Sequence, residues 1–367
     1  MTTAALMRAA GAPLELVDLE LAEPAPDQVR VRLAAAGVCH SDLSARAGKM
    51  GWKAPLILGH EGAGVVEAVG SEVSKVAPGD HVILAWNQPC RDCFFCNREE
   101  PHLCANATKD VFERPYGTVD GQEVKPFLGA GAFAEETLVL DRAVVPIDPG
   151  VPLETAALVG CAVTTGVGAV THTAAVAEGE SVAVIGCGGV GLSVVQGARL
   201  AGAEPIVAVD LQPSKLELAE RFGATHLVRA DQLDTVDAIK EATSGYGADH
   251  VFEVLGRSET IRQSYEATRR GGTTVIVGVG SRDDVVEFNA MELFFLARTI
   301  IGCVYGDADP DLDFPRILDL AAAGQLDLDA LVTDQVTLDE VDGALDRMAA
   351  GEGVRTLVRF GDLGSGG

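Results

Sequence analysis

The amino-acid sequence predicts an α/β protein with a strand-rich part followed by a doubly wound parallel sheet. Residues 1–150 show short apolar and alternating segments separated by turn residues, a pattern typical of strands. From about residue 178, strand patterns alternate with helix patterns, which favours parallel strands joined by crossover helices. Two groups of residues with metal-ligand spacing lie within the first 161 residues. At 367 residues, the chain is long enough for two domains that each have a core.

The first part contains three segments with a clear strand pattern. Residues 29–33 alternate apolar and polar side chains, and residues 62–70 and 79–84 are short apolar runs between turn residues. Residues 89–106 have almost no periodic apolar content, so a bound metal would have to replace a hydrophobic core there. The first part is therefore predicted to be a strand domain with a metal-stabilised lobe.

The second part shows strands and helices in alternation. Strands are predicted at 181–185, 206–209, 250–255 and 273–279, and helices at 190–201 and 215–222. The tail from about Asp313 shows helix patterns and ends in a strand at 354–360. The most apolar stretch, 155–177, contains five threonines and His172, so a buried helix is predicted there rather than a membrane span.

The chain is strongly acidic. It has 28 Lys and Arg residues against 54 Asp and Glu residues, which gives a formal net charge of −26. Such a surface repels phosphates, so neither nucleic acid nor a membrane surface is expected as a partner. The acidic runs at 307–313 and 327–329 are predicted to be exposed. Because the first twenty residues show no export pattern and the cysteines have ligand spacing, a cytoplasmic location is expected.

A glycine-rich turn, Gly186-Cys-Gly-Gly-Val-Gly191, lies between a predicted strand and a predicted helix. Its first glycine permits a tight turn, its second lets the backbone approach a pyrophosphate, and its third allows close helix–strand packing. The helix N-terminus that follows favours phosphate. Asp210, nineteen residues after Gly191, suits the adenosine-ribose hydroxyls and repels a 2′-phosphate. The pattern predicts a dinucleotide site that prefers NAD to NADP; the alternative is a helix packed on a strand without a nucleotide.

Four cysteines lie close together in the sequence. They are Cys90, Cys93, Cys96 and Cys104, with the spacing C-x2-C-x2-C-x7-C. Four thiolates at short loop spacing make a closed tetrahedral zinc site with a structural role. An iron–sulfur cluster is the alternative, but the typical C-x3-C-P ending is missing. Cys187 and Cys303 fit no ligand spacing and are predicted to be packing residues.

Cys39, His60 and Cys161 form a second, dispersed group. Two cysteines and one histidine leave a fourth zinc position open for water or substrate, as a catalytic zinc needs. Each of these residues alone is more often a packing residue. Their neighbours change the interpretation, because Glu61 and the segment 40–42 place polar groups beside the ligands.

These motifs resemble, in order and over nearly the whole chain, those of the medium-chain zinc-dependent alcohol dehydrogenases. The resemblance rests on Cys39-His-Ser-Asp42, Gly59-His-Glu-x-x-Gly64, the four-cysteine loop, Cys161 and the glycine-rich turn. It implies a GroES-like catalytic domain at 1–162 and 303–367, with a structural zinc lobe at about 89–106. It also implies an NAD-binding Rossmann domain at 163–302 and a homodimer or homotetramer.

The resemblance further implies roles for individual residues. At the catalytic zinc these are the ligands Cys39, His60 and Cys161, the nearby acid Glu61, the histidine's partner Asp42, and the hydroxyl Ser41 that touches the substrate oxygen. At the cofactor they are His40, Thr165, Gly186, Gly188, Gly189, Val190, Gly191, Asp210, Lys215, Val277, Cys303 and Arg355. In the substrate pocket they are Ser41, Trp86 and Phe133.

The implied activity is a reversible hydride transfer between a primary or aromatic alcohol and NAD, which gives an aldehyde. Two zinc ions per chain are implied, one catalytic and one structural. Ser44 occupies the position where better-known members end a proton relay with histidine. Proton exit is therefore predicted through Ser41 to water or to His40.

The loops favour a second possibility for the substrate. Residues 105–109 contain no arginine, where the glutathione-adduct-oxidising class holds a carboxylate. The Trp86 segment and the turn at 129–133 resemble more closely the bacterial mycothiol-adduct formaldehyde dehydrogenases. An S-(hydroxymethyl)thiol dehydrogenase of the mycothiol type is therefore the alternative. A zinc-free reductase or a nucleotide-binding regulator on the same fold is disfavoured, because the three zinc-ligand residues are present.

Overall fold

A computed structural model describes residues 1–361. Its strands are β1 (Thr2–Met7), β2 (Glu15–Leu21), β3 (Gln28–Val38), β4 (Leu56–Ile57), β5 (Glu61–Val69), β6 (His81–Leu84), β7 (Gly117–Val119), β8 (Gln122–Pro126), β9 (Glu136–Leu140), β10 (Val144–Pro146), β11 (Val182–Ile185), β12 (Ile206–Asp210), β13 (His226–Arg229), β14 (Ala248–Glu253), β15 (Thr268–Ile276), β16 (Thr299–Gly302), β17 (Val332–Val336) and β18 (Arg355–Arg359). Its helices are α1 (His40–Arg46), α2 (Lys109–Glu113), α3 (Leu153–Leu158), α4 (Thr164–Gly168), α5 (Gly189–Leu200), α6 (Pro213–Phe222), α7 (Thr235–Ala242), α8 (Ser258–Ala267), α9 (Ala290–Leu296), α10 (Pro310–Ala322) and α11 (Val341–Ala349).

The chain divides into two compact units. The first contains Met1–Cys161, Asp309–Gly324, and Leu328 to the end of the described chain. The second contains Ala162–Ala308 and Gln325–Asp327. The sequence-based domain boundaries were placed at 162/163 and 302/303, whereas the compact units change at 161/162 and 308/309. Residues 362–367 of the predicted tail lie outside the described part.

The first unit is built from strands. β1, β2, β7, β8 and β4 form a closed barrel, and a larger sheet runs in the order β10-β6-β5-β3-β18-β17, with β9 also paired to β3. β3 is long enough to pair with β5, β9 and β18. Its inward side chains, such as Val29, Val31 and Leu33, belong to a core that includes Phe127 and Phe133. This sheet supports the segments on either side of β3 and β5, from which the site is built.

One helical segment, Leu153–Thr173, joins α3 and α4 through a π-helical turn at Val159–Val163. Among residues 1–361 it is the one helix with the length and composition to cross a membrane, but 89% of its most apolar window is buried in the folded chain. A core helix is therefore confirmed for the apolar stretch that the sequence placed at 155–177.

The second unit is a parallel sheet in the order β13-β12-β11-β14-β15-β16. β11 is buried along its whole length, as expected for a strand in a parallel sheet that is covered on both faces. The strand order reverses between β11 and β14, and such a reversal opens a crevice at the carboxyl ends of the strands. The predicted fold class, a strand-rich domain with a doubly wound parallel sheet, is confirmed.

Two expectations about local structure were wrong. The strand predicted at 273–279 runs instead over Thr268–Ile276, because its pairing with β14 ends at Glu253 and Ile276. The run at 307–313 is not an exposed acidic face, since Asp313 is 9% exposed and accepts the N–H of Asp309 at 2.8 Å. Apolar runs and charge counts do not encode these tertiary pairings.

Candidate active site and metal centres

Four buried side chains of the first unit converge to form a candidate metal centre: those of Cys39, His60, Glu61 and Cys161. Each offers one ligand atom, and these atoms lie within 4.8 Å of one another. His60 and Glu61 are 0% exposed, and the two cysteines are 7% and 8% exposed. Three separate segments of the chain supply these residues, so the group forms only when the chain folds.

The local backbone aims each ligand. Cys39 leaves β3 in an extended conformation and is the N-cap residue of α1. His60 directly precedes β5, and Glu61 is its first residue. Cys161 lies in the π-helical turn. A π turn adds a residue to the helix and is frequent at functional sites, because it turns a side chain away from its regular helical direction.

Asp42 holds two of these segments together. Its fully buried carboxylate accepts the backbone N–H groups of Cys39 at 3.1 Å and Gly59 at 3.0 Å. It also lies 3.1 Å from Nδ1 of His60. This contact favours the tautomer with a proton on Nδ1, so Nε2 of His60 is left to act as a ligand atom.

The electrostatics of the group favour one thiolate. A hydrogen bond from the Cys161 thiol, with help from His60 and Arg355, holds the pKa of Cys39 well below its usual range. Burial alone would lower the pKa of His60, but the charges of Asp42 and Cys39 outweigh it and raise this pKa well above its usual value. A negative sulfur beside a buried imidazole is what a divalent cation site requires.

Glu61 forms a buried ion pair with Arg355. The guanidinium Nη2 donates to the carboxylate, and both side chains are almost fully buried. Gly37 lies between them in the sheet, and a Cβ there would overlap both side chains. Burial raises the pKa of Glu61 to about 7, although Arg355 opposes the shift. Arg355 was predicted to face a cofactor pyrophosphate; the structure places its charge against Glu61.

The residues present fit a zinc ion. Two sulfurs and one imidazole are the soft and borderline donors that zinc prefers, and three protein ligands leave one position open. Within residues 1–361, no hydrogen-bond partner reaches the buried Nε2 of His60 or Oε1 of Glu61. Buried polar atoms are rarely left without a partner, and a metal ion would satisfy the imidazole nitrogen.

The four-cysteine lobe is a second candidate metal group. The sulfurs of Cys90, Cys93, Cys96 and Cys104 lie within 4.8 Å of one another and are only partly buried. Backbone N–H groups of Cys96 and Ala105 point at the Cys93 sulfur and lower its pKa to about 6. Two short 3-10 turns make up the regular structure of this loop. The donor set fits a closed zinc site that would replace a core.

Arg91 anchors this lobe to the start of α10. Its guanidinium contacts both carboxylate oxygens of Asp309 at 2.6 Å and Oδ2 of Asp311 at 2.7 Å. Lys75 contacts the other oxygen of Asp311 at 2.5 Å. Asp309 and Asp311 of the acidic run at 307–313 are therefore paired with the basic side chains of Arg91 and Lys75, so this part of the run is not a freely solvated acidic face.

The glycine-rich turn and Asp210 lie together in the second unit. Gly186 has φ +103°, a left-handed conformation that favours glycine, and a Cβ on Gly191 would overlap the Gly186 carbonyl oxygen. A Cβ on Gly188 would meet nothing within 4 Å, so space remains at the start of α5. Asp210 accepts the N–H of Cys187 at 2.8 Å. This cradle fits a dinucleotide, with its phosphates at the helix N-terminus.

The other predicted site residues lie as follows. His40 is exposed, and Ser41 and Trp86 are partly buried. In the second unit, Val190 and Lys215 are partly buried, and Thr165, Val277, Cys303 and Gly189 are buried. Val277 and Cys303 follow β15 and β16, which places them at the carboxyl edge of the sheet. Phe133 is 0% exposed and lies in the same core as Phe127.

Two aromatic residues beside the metal group were missed by the sequence analysis. The ring of Phe127 contacts His60 edge-to-face at 5.8 Å, and Trp52 contacts Phe127 in the same way at 5.2 Å. Phe127 is fully buried and Trp52 is partly buried. Phe127 lies 67 positions from His60 in the sequence and Trp52 lies 8 positions from it, and neither belongs to a motif. Phe127 lies just before the Gly129–Phe133 turn in the sequence, and this position was the signal that could have identified it as a residue near the site.

Comparison with known proteins agrees with this architecture. Residues 25–149 match the alcohol dehydrogenase GroES-like domain model, and residues 189–323 match the zinc-binding dehydrogenase model. An S-(hydroxymethyl)glutathione dehydrogenase of Escherichia coli O6:H1 is 37% identical over 97% of this chain and 99% of its own length.

Two solved structures are similar over nearly the whole chain. Benzyl alcohol dehydrogenase from Acinetobacter calcoaceticus has a TM-score of 0.91 at 32% identity and covers 98% of this chain and 99% of its own. A structure from Sinorhizobium meliloti 1021, bound to NADP, has a TM-score of 0.82 at 29% identity with the same coverage. The chain belongs to the zinc-dependent alcohol dehydrogenase family, as the motifs predicted. Its members are oxidoreductases that act on CH–OH groups.

Proposed function

We propose that this chain is an NAD-dependent zinc alcohol dehydrogenase that interconverts a primary or aromatic alcohol and the aldehyde. The observation that carries the proposal is the buried group of two sulfurs and one imidazole in the first unit, whose Nε2 has no hydrogen-bond partner in the described residues. The cradle at Gly186–Gly191 in the second unit supports a dinucleotide as the hydride acceptor. We assign the two zinc ions to this group and to the four-cysteine lobe.

Each part of the site has a chemical task. Cys39, His60 and Cys161 would hold a zinc ion, whose positive charge would lower the pKa of a bound alcohol. Ser41, two positions after Cys39 in the first turn of α1, accepts the hydroxyl proton while it gives its own proton to water or to the exposed His40. Asp42 keeps the His60 ring in one orientation throughout.

The cofactor assignment rests on Asp210. A carboxylate at the end of β12 binds the two ribose hydroxyls and repels a 2′-phosphate. Backbone N–H groups of Cys187 and Gln212 fix the two oxygens of this side chain, at 2.8 Å and 2.9 Å. The carboxylate therefore cannot swing aside without losing both hydrogen bonds, which supports NAD. The NADP in the Sinorhizobium meliloti structure belongs to that protein.

The substrate assignment rests on the aromatic residues. Phe127 packs edge-to-face on His60, Trp52 packs in the same way on Phe127, and Trp86 is another partly buried aromatic residue of this unit. Aromatic walls favour an aryl or extended apolar alcohol through edge-to-face contacts. Similarity to a benzyl alcohol dehydrogenase supports this choice.

A second candidate is oxidation of an S-(hydroxymethyl)thiol, the adduct of formaldehyde with a low-molecular-weight thiol. Similarity to S-(hydroxymethyl)glutathione dehydrogenases at 37% identity favours it. The absence of arginine from 105–109 argues for a thiol other than glutathione, such as one of the mycothiol type.

The test is NADH formation with simple, aryl and extended alcohols, and then with formaldehyde with and without candidate thiols. We expect turnover of aryl alcohols without a thiol. Ser41→Ala should lower kcat by about 10²–10⁴-fold, while Ser71→Ala, an exposed serine of the same unit, should leave it unchanged. Strict dependence on a thiol would establish the second candidate. Absence of NADH formation from every substrate by a fully zinc-loaded protein would contradict both.

We further propose a homodimer in the cytoplasm. β16 is the end strand of the parallel sheet, and it is largely exposed. Met291, Phe294 and Phe295 of the neighbouring α9 are each more than 60% exposed. An apolar edge of this kind is a natural partner for a second copy through a two-fold axis. Light scattering of the wild type and of Phe294→Glu tests it; a monomeric wild type would contradict it.

A further inference from the structure

The four-cysteine lobe buries very little of its own surface. Between residues 90 and 110, Pro101 is the one buried residue. The four cysteines are partly buried, and the ring of Phe94 is 68% exposed. Since hydrophobic stabilisation grows with the apolar area removed from water, this segment gains little from it. The position of the lobe therefore depends on its polar contacts with the rest of the first unit.

These polar contacts attach the lobe at both of its ends. At the end of the lobe, the Arg142 guanidinium donates to the carbonyl of Asn106 at 2.9 Å. At its start, Arg91 follows the first cysteine, and its guanidinium makes the two-oxygen contact with Asp309 and the contact with Asp311 described above. The Arg91 contact spans 218 positions of the sequence. The first loop between cysteines is thus tied to the start of α10.

The acidic side of this contact is held by its own neighbours. Asp309 is the N-cap residue of α10, and its Oδ1 accepts the N–H of Asp311 at 3.2 Å. Its own N–H donates to the carboxylate of Asp313 at 2.8 Å. Lys75 donates to Asp311 at 2.5 Å. Arg91 therefore meets carboxylates whose positions are fixed by α10 and by a second cation.

The backbone of Arg91 has an unusual conformation that involves a ligand sulfur. Its φ is +65°, in the left-handed region that residues other than glycine rarely adopt. Such a conformation persists where the surrounding structure holds it. Burial raises the pKa of the Cys96 thiol to about 12, and the backbone N–H of Arg91, which points at this sulfur, opposes the shift. One residue thus contacts α10 through its side chain and the cysteine group through its main chain.

We propose that Arg91 is a positioning residue for the structural zinc, an inference that rests on the zinc assigned above to the four-cysteine lobe. Its ion pairs with Asp309 and Asp311 hold the left-handed turn that directs its N–H to Cys96. When these pairs open, the turn relaxes and the first loop moves away from the other sulfurs. The Arg91 side chain is 44% exposed, so dissolved salt screens the contact. Zinc retention by the lobe is therefore sensitive to ionic strength.

The experiment measures the rate of zinc release from the zinc-loaded protein to a chelator, at low and at high NaCl. The release phase that is missing from Cys93→Ser identifies the lobe. We expect Arg91→Gln to accelerate this phase about tenfold at low salt, as for hydrogen bonds to a partly exposed charged group. Salt should accelerate release from the wild type but have little effect on Arg91→Gln. Asp311→Asn, a change outside the lobe, should accelerate release by less, and Arg91→Lys should restore part of the wild-type rate.

Arg98→Gln is the matched control. Arg98 is an exposed arginine of the same lobe, and it pairs with Glu100 at 3.6 Å within the lobe. This variant should release zinc at the wild-type rate and with the wild-type salt dependence. The proposal is overturned if Arg91→Gln releases zinc like the wild type, or if Arg98→Gln has the same effect as Arg91→Gln. A wild type that holds no zinc at the four cysteines would overturn the zinc assignment itself. A wild type that releases two equivalents, with rates that do not depend on Arg91, would overturn this role alone.

Discussion

The substitution Asp42→Asn tests how the first unit would hold the proposed catalytic zinc. Asp42 accepts three hydrogen bonds in a fully buried position, two of them on Oδ1, from Gly59 N–H and His60 Nδ1. The amide oxygen of an asparagine can keep the two hydrogen bonds that Oδ1 accepts. Its NH₂ group then takes the place of Oδ2, so the Cys39 N–H, which Oδ2 accepts in the wild type, loses its acceptor. A buried donor left without an acceptor costs about 1–3 kcal/mol. Loss of the negative charge also makes His60 a weaker ligand.

We expect Asp42→Asn to reduce zinc affinity at this site by roughly 10–100-fold, the range typical for partners of metal-binding histidines. Asp42→Ala would be less informative. It leaves all three donors without an acceptor, which costs roughly 3–9 kcal/mol by the same rule and is comparable to the whole stability of a domain.

The assay is a competition between the zinc-loaded protein and a colorimetric chelator. The wild type should release two zinc equivalents, and the four-cysteine site serves as an internal control. In Asp42→Asn, one equivalent should leave at a lower chelator concentration while the other is unchanged. Asp148→Asn, an exposed loop carboxylate, is the control for an Asp-to-Asn change. If Asp42→Asn retains both equivalents as tightly as the wild type, the positioning role is refuted.

Three further predictions concern other parts of the chain. Cys93→Ser should remove one zinc equivalent and lower Tm, because the proposed structural zinc would replace a core in this lobe; an unchanged zinc content and Tm would contradict this. Asp210→Ser should shift the ratio of kcat/KM for NAD and NADP toward NADP, because the repelling charge is gone; an unchanged ratio would exclude that role. The Arg114 guanidinium holds the pKa of Asp27 below its usual value. A pKa lowered by folding stabilises the protein above the unfolded pKa, near about 3.9, and this stabilisation is lost as the pH falls through the folded pKa. The difference in unfolding free energy between the wild type and Asp27→Asn should therefore be constant above about pH 5 and shrink below about pH 4, as urea titrations can measure.

The candidate metal groups illustrate what can be read from sequence. Cysteines spaced by two residues must lie close together, so the four-cysteine loop needs no tertiary information. Cys39, His60 and Cys161 are dispersed, and they could be grouped because their motifs occur together in one family. The structure brings their ligand atoms within 4.8 Å of one another.

Two features near the site could not be read in this way. The pairing of Glu61 with Arg355 spans 294 positions and depends on β3 lying between β5 and β18. The sequence analysis selected Phe133 for the substrate pocket and did not select Phe127, whose ring contacts His60; both rings are buried in the same core. The two phenylalanines are only six residues apart, and the residue types do not reveal which ring lies against His60.

The sequence by itself determined the ligand types, the glycine-rich turn and the alternation of strands and helices, because each depends on residues that are close in the chain or on a period of two or 3.6 residues. Tertiary structure alone decided which partner each buried charge has. Arg355 is paired with Glu61, which lies 294 positions away in the sequence. A buried charge must find its partner wherever the folded chain puts one, and that place is set by strand order and register rather than by neighbouring residues.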